Sequence, residues 1–232
     1  MKILALDSAT AACSVAAWVD GRVVAVERAD LPRGQAEALL PMVERVRAAA
    51  GISFQAFDRF AVTVGPGHFT GLRVGLAAAR GLALAAGRPL IGITTLEAVA
   101  AAVPDDELAA PTSVLVVALD SKRAEPYFQT FRADRRPATP PVARRAAEYA
   151  SELLDRNPGG QFVIAGDAGE ALAAELAARG AALLRTRAAP RPDAAVVAAL
   201  AAGVPPPVGF PAPLYIHPVA TTTAKTMRGA PA

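Results

Sequence analysis

The chain is poor in the residues that build most reaction centres. In 232 residues it has one cysteine, Cys13, and two histidines, His68 and His217. A single cysteine excludes a disulfide framework and fits a reducing compartment. No cysteine or carboxylate stands at ligand spacing from either histidine and HExxH is absent, so no metal site is expected and a zinc protease is excluded. GxxxxGK[ST] and G-x-S-x-G are also missing, which removes a P-loop and a serine-hydrolase elbow. Aromatic residues make up 5% of the chain and charged residues 19%. The formal net charge of +3 is too small for this length to imply nucleic acid by itself. Long uncharged runs are lacking too. The stretch 81–95 contains Arg88, Pro89 and three glycines, so no membrane span is expected. MKILALDSAT is broken by Asp7 and is not a secretory leader, so a cytoplasmic protein is expected.

What is present is an apolar fraction of 53%, much of it alanine, enough for a sizeable core. Residues 2–6 (KILAL), 13–19 (CSVAAWV) and 22–28 (RVVAVER) read as three strands. Asp20-Gly21 between the last two signals a hairpin. Ala36, Leu39, Leu40, Val43, Val46 and Ala50 follow helical spacing over 35–50, closed by Gly51, with Pro41 bending the helix or delaying its start. A strand at 59–64, a helix at 71–86, a strand at 89–93 and a helix from Leu96 capped by Thr95 follow, giving β-β-β-α-β-α-β-α. After Pro104 and the solvated Asp105-Asp106-Glu107, strands are expected at 113–119, 127–131 and 162–165, and helices at 142–155, 168–178 and 192–202. Residues 219–232 lack an apolar period and are expected to be a disordered tail. ILALDSAT and LVVALDSKR each end a strand in Leu-Asp-Ser, a faint internal repeat; three residues leave duplication and chance both open.

Two places resemble chemistry. Asp7 at a strand end, with the hydroxyls of Ser8 and Thr10, is the layout that holds a nucleotide phosphate and its magnesium ion, but Ser8 to Ala12 contains no glycine to let phosphate approach the backbone. Strand closure and turn capping are the preferred reading there. The loop GPGHFTGLRVG (65–75) offers Gly67 and a helix starting near Thr70 to an anion, with Arg73 one turn in. In that helix Gly71, Gly75, Ala78, Leu82 and Ala85 share one face, thin enough for another backbone to come close. The spacing does not say whose backbone, and this chain's own sheet is the default. Arg132, Arg135, Arg136, Arg144, Arg145, Arg185, Arg187 and Arg191 have few interleaved aromatics and read as a solvated surface.

ILALDSAT, LLPMVERV, GPGHFTGLRVGLAAARGLALA, PLIGITTLEAVA, ALDSKRAEPY and PLYIHP resemble, in order, the TsaB (YeaZ) family, most strongly over residues 1–103. The resemblance implies an α/β, actin-like ATPase (ribonuclease-H-like) fold. It has two tandem βββαβα-type halves, mixed sheets flanked by helices, at 1–103 and 104–218. It also implies a non-catalytic scaffold that activates TsaD in making threonylcarbamoyladenosine in tRNAs reading ANN codons. TsaD and TsaE are the expected partners, with a homodimer in isolation and tRNA reached through the complex. No cofactor is expected on this chain alone, and ATP or ADP at the junction with TsaD. By the same resemblance Leu39, Leu40, Val43, Gly71, Leu72, Gly75, Ala78, Ala79 and Leu82 form the partner interface, while Asp7, Ser8, Thr10, Gly67 and Thr70 are a vestigial phosphate site. The chain departs from the family pattern at His68, at Gly34-Gln35 and at Arg123-Ala124-Glu125-Pro126. An ATP-dependent phosphotransferase or ATPase of the same fold is the alternative.

Overall fold

The computed structural model describes residues 1–217, so the tail expected at 219–232 lies outside the described residues. Three strands open the chain: β1 (Lys2–Thr10), β2 (Ala12–Val19) and β3 (Arg22–Asp30). Asp20 and Gly21 both take positive φ, 45° and 91°, the tight hairpin turn that Asp-Gly favours. Then come α1 (Gln35–Ala50), β4 (Arg59–Thr63), α2 (Phe69–Ala86), β5 (Leu90–Ile93) and α3 (Thr95–Ala101). Pro41 sits on the exposed side of α1, which runs unbroken from Gln35. The rest is β6 (Ser113–Leu119), β7 (Tyr127–Phe131), β8 (Val142–Ala143), α4 (Ala146–Arg156), β9 (Gln161–Ala165), α5 (Gly169–Ala178), β10 (Ala182–Arg185) and α6 (Ala194–Ala202).

Two five-stranded sheets result, ordered β3-β2-β1-β4-β5 and β8-β7-β6-β9-β10. In each, the first three strands of the half are antiparallel neighbours and the last two join in parallel. The two halves therefore repeat one topology, with Leu6-Asp7-Ser8 in the last half of the central strand β1 and Leu119-Asp120-Ser121 at the end of the corresponding strand β6. The faint repeat is a duplication of architecture.

Both faces of the first sheet are covered, which is why β1 reads as a continuous apolar run rather than an alternation. Leu4 and Leu6 point to the layer of α1 and α2, where Leu39, Met42, Val43, Leu76 and Ala79 pack. Ile3 and Ala5 point the other way, against Ala98 of α3 and Ala194, Val197, Ala198 and Ala201 of α6. Helix α3 also turns Leu96, Val99 and Ala100 toward the second sheet, so it lies between the halves. Helices α4 and α5 cover that sheet's far face. Helix α6, from the end of the described chain, thus closes the sheet formed at its beginning. The segment after it stays on the first half: Leu214 N donates to Val64 O at 2.7 Å and Arg80 donates to Pro211 O at 2.6 Å.

Four local expectations are corrected. Thr94, not Thr95, caps α3, in a reciprocal box with Glu97: the Glu97 amide donates to Thr94 Oγ1 at 3.1 Å and the Thr94 amide to the Glu97 carboxylate at 3.1 Å. The helix expected over 142–155 begins only at Ala146, because Val142–Ala143 pairs with β7. Strand β10, a four-residue edge, gave no periodic signal in the sequence. Finally, β1 does not end at Asp7 but carries on to Thr10. Helix α2 is long and apolar enough, by length and composition alone, to cross a membrane. Of its residues Gly71, Leu72, Gly75, Leu76, Ala79 and Ala83 are buried.

Candidate functional site

The region built by the end of β1 and the 65–75 loop is where the sequence concentrates its unusual residues. The loop leaves β4 and lies directly on β1. The His68 amide donates to Ala9 O at 2.7 Å, and Ser8 Oγ donates to Gly71 O at 2.8 Å. Three glycines permit this approach. A Cβ at Gly67 would collide with the Ala9 carbonyl, one at Gly71 with the Ser8 carbonyl, and one at Gly75 would stand 2.6 Å from Ser8 Oγ. Spaced four apart, they bring the loop and the first two turns of α2 against a strand backbone, a position glycine alone allows.

Asp7 is sealed beneath this contact, with no exposed surface. Its Oδ1 accepts from Thr63 Oγ1 at 2.6 Å and from the Ala9 amide at 3.1 Å, and Oδ2 has no partner among the described residues. Burial pushes this carboxyl up to about 7, against the pull of the Thr63 and Ala9 hydrogen bonds and with a small push from Asp193. Ser8 and Thr10 are buried as well, whereas Gly67 is half-buried and Thr70 exposed. The five residues of the vestigial phosphate site therefore do not converge on one opening. The Ser8 and Ala9 backbone, where a phosphate would approach, is covered by the chain's own loop. Asp7 here ties β1 to β4 through Thr63.

In the second half the matching turn stays open. Asp120 is partly exposed; the Lys122 amide donates to it at 2.7 Å and Lys122 Nζ pairs with it at 2.6 Å. Burial raises this carboxyl, but the Lys122 hydrogen bonds and charge outweigh that and hold it below the usual carboxylate range. A cleft of about 740 Å³ lies between this turn, the start of α1, the start of α2 and residues 214–217. His68 looks into it. Burial, with the Lys122 charge, depresses that imidazole, while Asp120 and Asp167 oppose the shift. Among the described residues no three His, Cys, Asp or Glu side chains gather closely enough to hold a metal ion.

The nine residues expected at a partner interface separate into two sets. Leu39, Val43, Gly71, Leu72, Gly75 and Ala79 are buried in this chain's own core, while Leu40 is 53% exposed and Ala78 and Leu82 are half-buried at the edge. The backbone that approaches the thin stripe is that of β1. The outward face of α2 is instead Arg73, Ala77, Gly81 and Leu84, the last 72% exposed, with open space around Gly81. That second stripe was readable from its own spacing of four and three, but two interleaved small-residue faces on one helix cannot be ranked without the sheet. Of the arginines expected to be solvated, Arg187 pairs with Asp106 at 2.7 Å, Arg191 with Asp30 at 2.7 Å and Arg135 with Asp105, whereas Arg144, among the described residues, reaches only the Ala143 carbonyl.

Residues 31–179 match the family model described as TsaD, tRNA N6-adenosine threonylcarbamoyltransferase. The tRNA threonylcarbamoyladenosine biosynthesis protein TsaB of Escherichia coli (strain K12) is 41% identical over 134 residues, 58% of this chain and 56% of that protein. The match thus spans about half the length of the curated TsaB proteins. A Pseudomonas aeruginosa crystal structure, described as an uncharacterized protein with similarity to peptidase YeaZ, superposes with a TM-score of 0.73 at 26% identity, covering 93% of this chain and 99% of that one. The activator of 2-hydroxyisocaproyl-CoA dehydratase from Clostridium difficile, solved with ADPNP, gives 0.50 at 12% identity over 87% and 94%, a likeness of fold alone. The fold is that of the actin-like ATPases.

Two measurements test the sealed contact. In urea unfolding, Gly71→Ala is expected to lower stability by about 1–3 kcal/mol through overpacking against Ser8, whereas Gly81→Ala, in open helix, should raise it by up to about 1 kcal/mol. Equal effects would remove the special role of the 67–71–75 contact. Between the ordinary aspartate value and about 7 the folded protein holds a proton that the unfolded chain releases, so the Asp7 contribution falls as pH rises through that window. Comparing pH 5 with pH 8, Asp7→Asn is expected to flatten the decline in the urea midpoint and to be the more stable protein at pH 8. A decline equal to wild type would show that Asp7 is ionised throughout.

Proposed function

Because the chain belongs to the family of the TsaD-type tRNA N6-adenosine threonylcarbamoyltransferases, on its TsaB (YeaZ) side, we propose that it serves threonylcarbamoyladenosine biosynthesis as a non-catalytic subunit that docks and activates TsaD. The observation that carries this reading is the closed end of β1. Asp7, in the place where this fold would hold a cation and a phosphate, is buried without access and covered by Gly67, His68 and Gly71. A carboxyl raised to about 7 by burial is a poor magnesium ligand. Helices α1 and α2 lie side by side over the first sheet and carry exposed apolar groups, Leu40 and Leu84, beside the small Ala77 and Gly81. A helix of a partner can come close over such a face.

In this reading the same face supports a homodimer when TsaD is absent, TsaE joins the complex, and ATP or ADP sits at the junction with TsaD rather than in this chain. Leu40, Ala78 and Leu82 remain members of the interface, joined by Ala77, Gly81 and Leu84. The tRNAs reading ANN codons meet the complex in the cytoplasm. An ATPase or ATP-dependent phosphotransferase chemistry of the chain's own is not supported by the sealed β1 end, and calorimetry of the isolated chain with MgATP tests it directly: micromolar binding with turnover would replace this proposal.

The interface is tested by Leu84→Asp. On size-exclusion chromatography with light scattering, the variant is expected to stay folded and to lose co-elution with TsaD by at least about tenfold in affinity, as removal of a central apolar anchor does. Undiminished co-elution of Leu84→Asp and of Gly81→Leu would place the interface elsewhere.

A further inference from the structure

The cleft between the halves has a composition that the docking role does not use. Helices α1 and α2 both begin at its edge, neither N-cap, Gly34 nor His68, provides a side-chain cap, and the first turns of both helices, Glu37 included, line the same space. Arg33 stands on one bank and Arg123 on the other, and neither has a carboxylate within ion-pair distance among the described residues. A second depression shares Ile216 and His217 with the first and continues past them to Arg144. Between the cations lie flat rings. Phe69 is 43% and Tyr215 37% exposed, with centroids 5.6 Å apart. The Arg73 guanidinium sits 3.7 Å over the Phe69 ring, and its Nε donates to the Tyr215 hydroxyl at 3.3 Å, which holds the ring pair in place.

We infer that this cleft grips a single-stranded stretch of RNA, its phosphates on Arg33, Arg123 and Arg144 and a base against the Phe69–Tyr215 pair. A free nucleoside triphosphate fits less well, because the turn that would take its phosphates and cation is shut by the 65–71 loop. The cations are instead spread along two adjoining depressions, the arrangement that follows a strand of separated phosphates, with aromatic faces for bases. The choice of RNA rests on the proposed role in tRNA modification; the strand-like track does not.

The test is fluorescence anisotropy of the full chain, without TsaD, on a labelled single-stranded RNA of about twelve nucleotides, a length within the range that such grooves span. The Arg33→Ala/Arg123→Ala double variant is expected to bind at least about tenfold more weakly and to flatten the dependence of log affinity on log salt by roughly 1.4. Phe69→Leu, which keeps apolar volume but removes the ring face, should weaken binding while leaving that slope unchanged. Leu84→Asp should bind RNA like wild type, so that loss of docking and loss of RNA contact are read separately. No binding by the wild-type chain, equal binding by the double variant, or competition by AMP as effective as by RNA would each overturn the assignment, and none of these would touch the docking of TsaD.

Discussion

The architecture of the first half depends on one close approach, the first two turns of α2 lying on the end of β1. Ser8 is the hub: its hydroxyl donates to Gly71 O, its carbonyl faces Gly71, and its Oγ limits Gly75. That contact shapes the end of β1. It buries Asp7, raises its proton affinity, and lays the 65–71 loop over the Ser8 and Ala9 backbone. It also fixes the rotation of α2, which decides that Gly71 and Gly75 face inward and that Gly81 and Leu84 face out.

The second half repeats the topology without repeating the closure. Asp120 directly follows β6 whereas Asp7 lies within β1, and Asp120 remains partly exposed and paired with Lys122. One carboxyl is held proton-rich by burial and the other is held ionised by a neighbouring ammonium. The same strand-end motif has thus become a structural tie in one half and part of an open cleft wall in the other. A duplicated fold can divide such roles because each turn answers to its own loop and not to the sheet order.

Much of the fold was legible in the sequence because its signals are local. Asp20-Gly21 reports a hairpin through two positive φ angles, Gly51 closes a helix, and apolar periods mark most elements. The misses are equally physical. A four-residue edge strand such as β10 has no room for a period, and Val142–Ala143 became a strand through pairing with β7 rather than by propensity. Thr94 and Thr95 compete as caps, and only the reach of Glu97 separates them. At the site, the glycines at 67, 71 and 75 announced a close approach but not its partner, since that partner, β1, is some sixty residues away in the chain. The cleft was invisible because Arg33, Phe69, Arg123 and Tyr215 come from four distant segments that only the tertiary fold brings together.

Helix α6 has a consequence for how the protein is made. Residues 194–201 supply one of the two apolar layers against the sheet formed by residues 2–30, 59–63 and 90–93. During synthesis that side of the opening sheet therefore stays mostly uncovered until residues 194–201 have left the ribosome. A chaperone that shields that side, or a truncation that removes α6, acts on the first half even though the helix is encoded at the far end of the second.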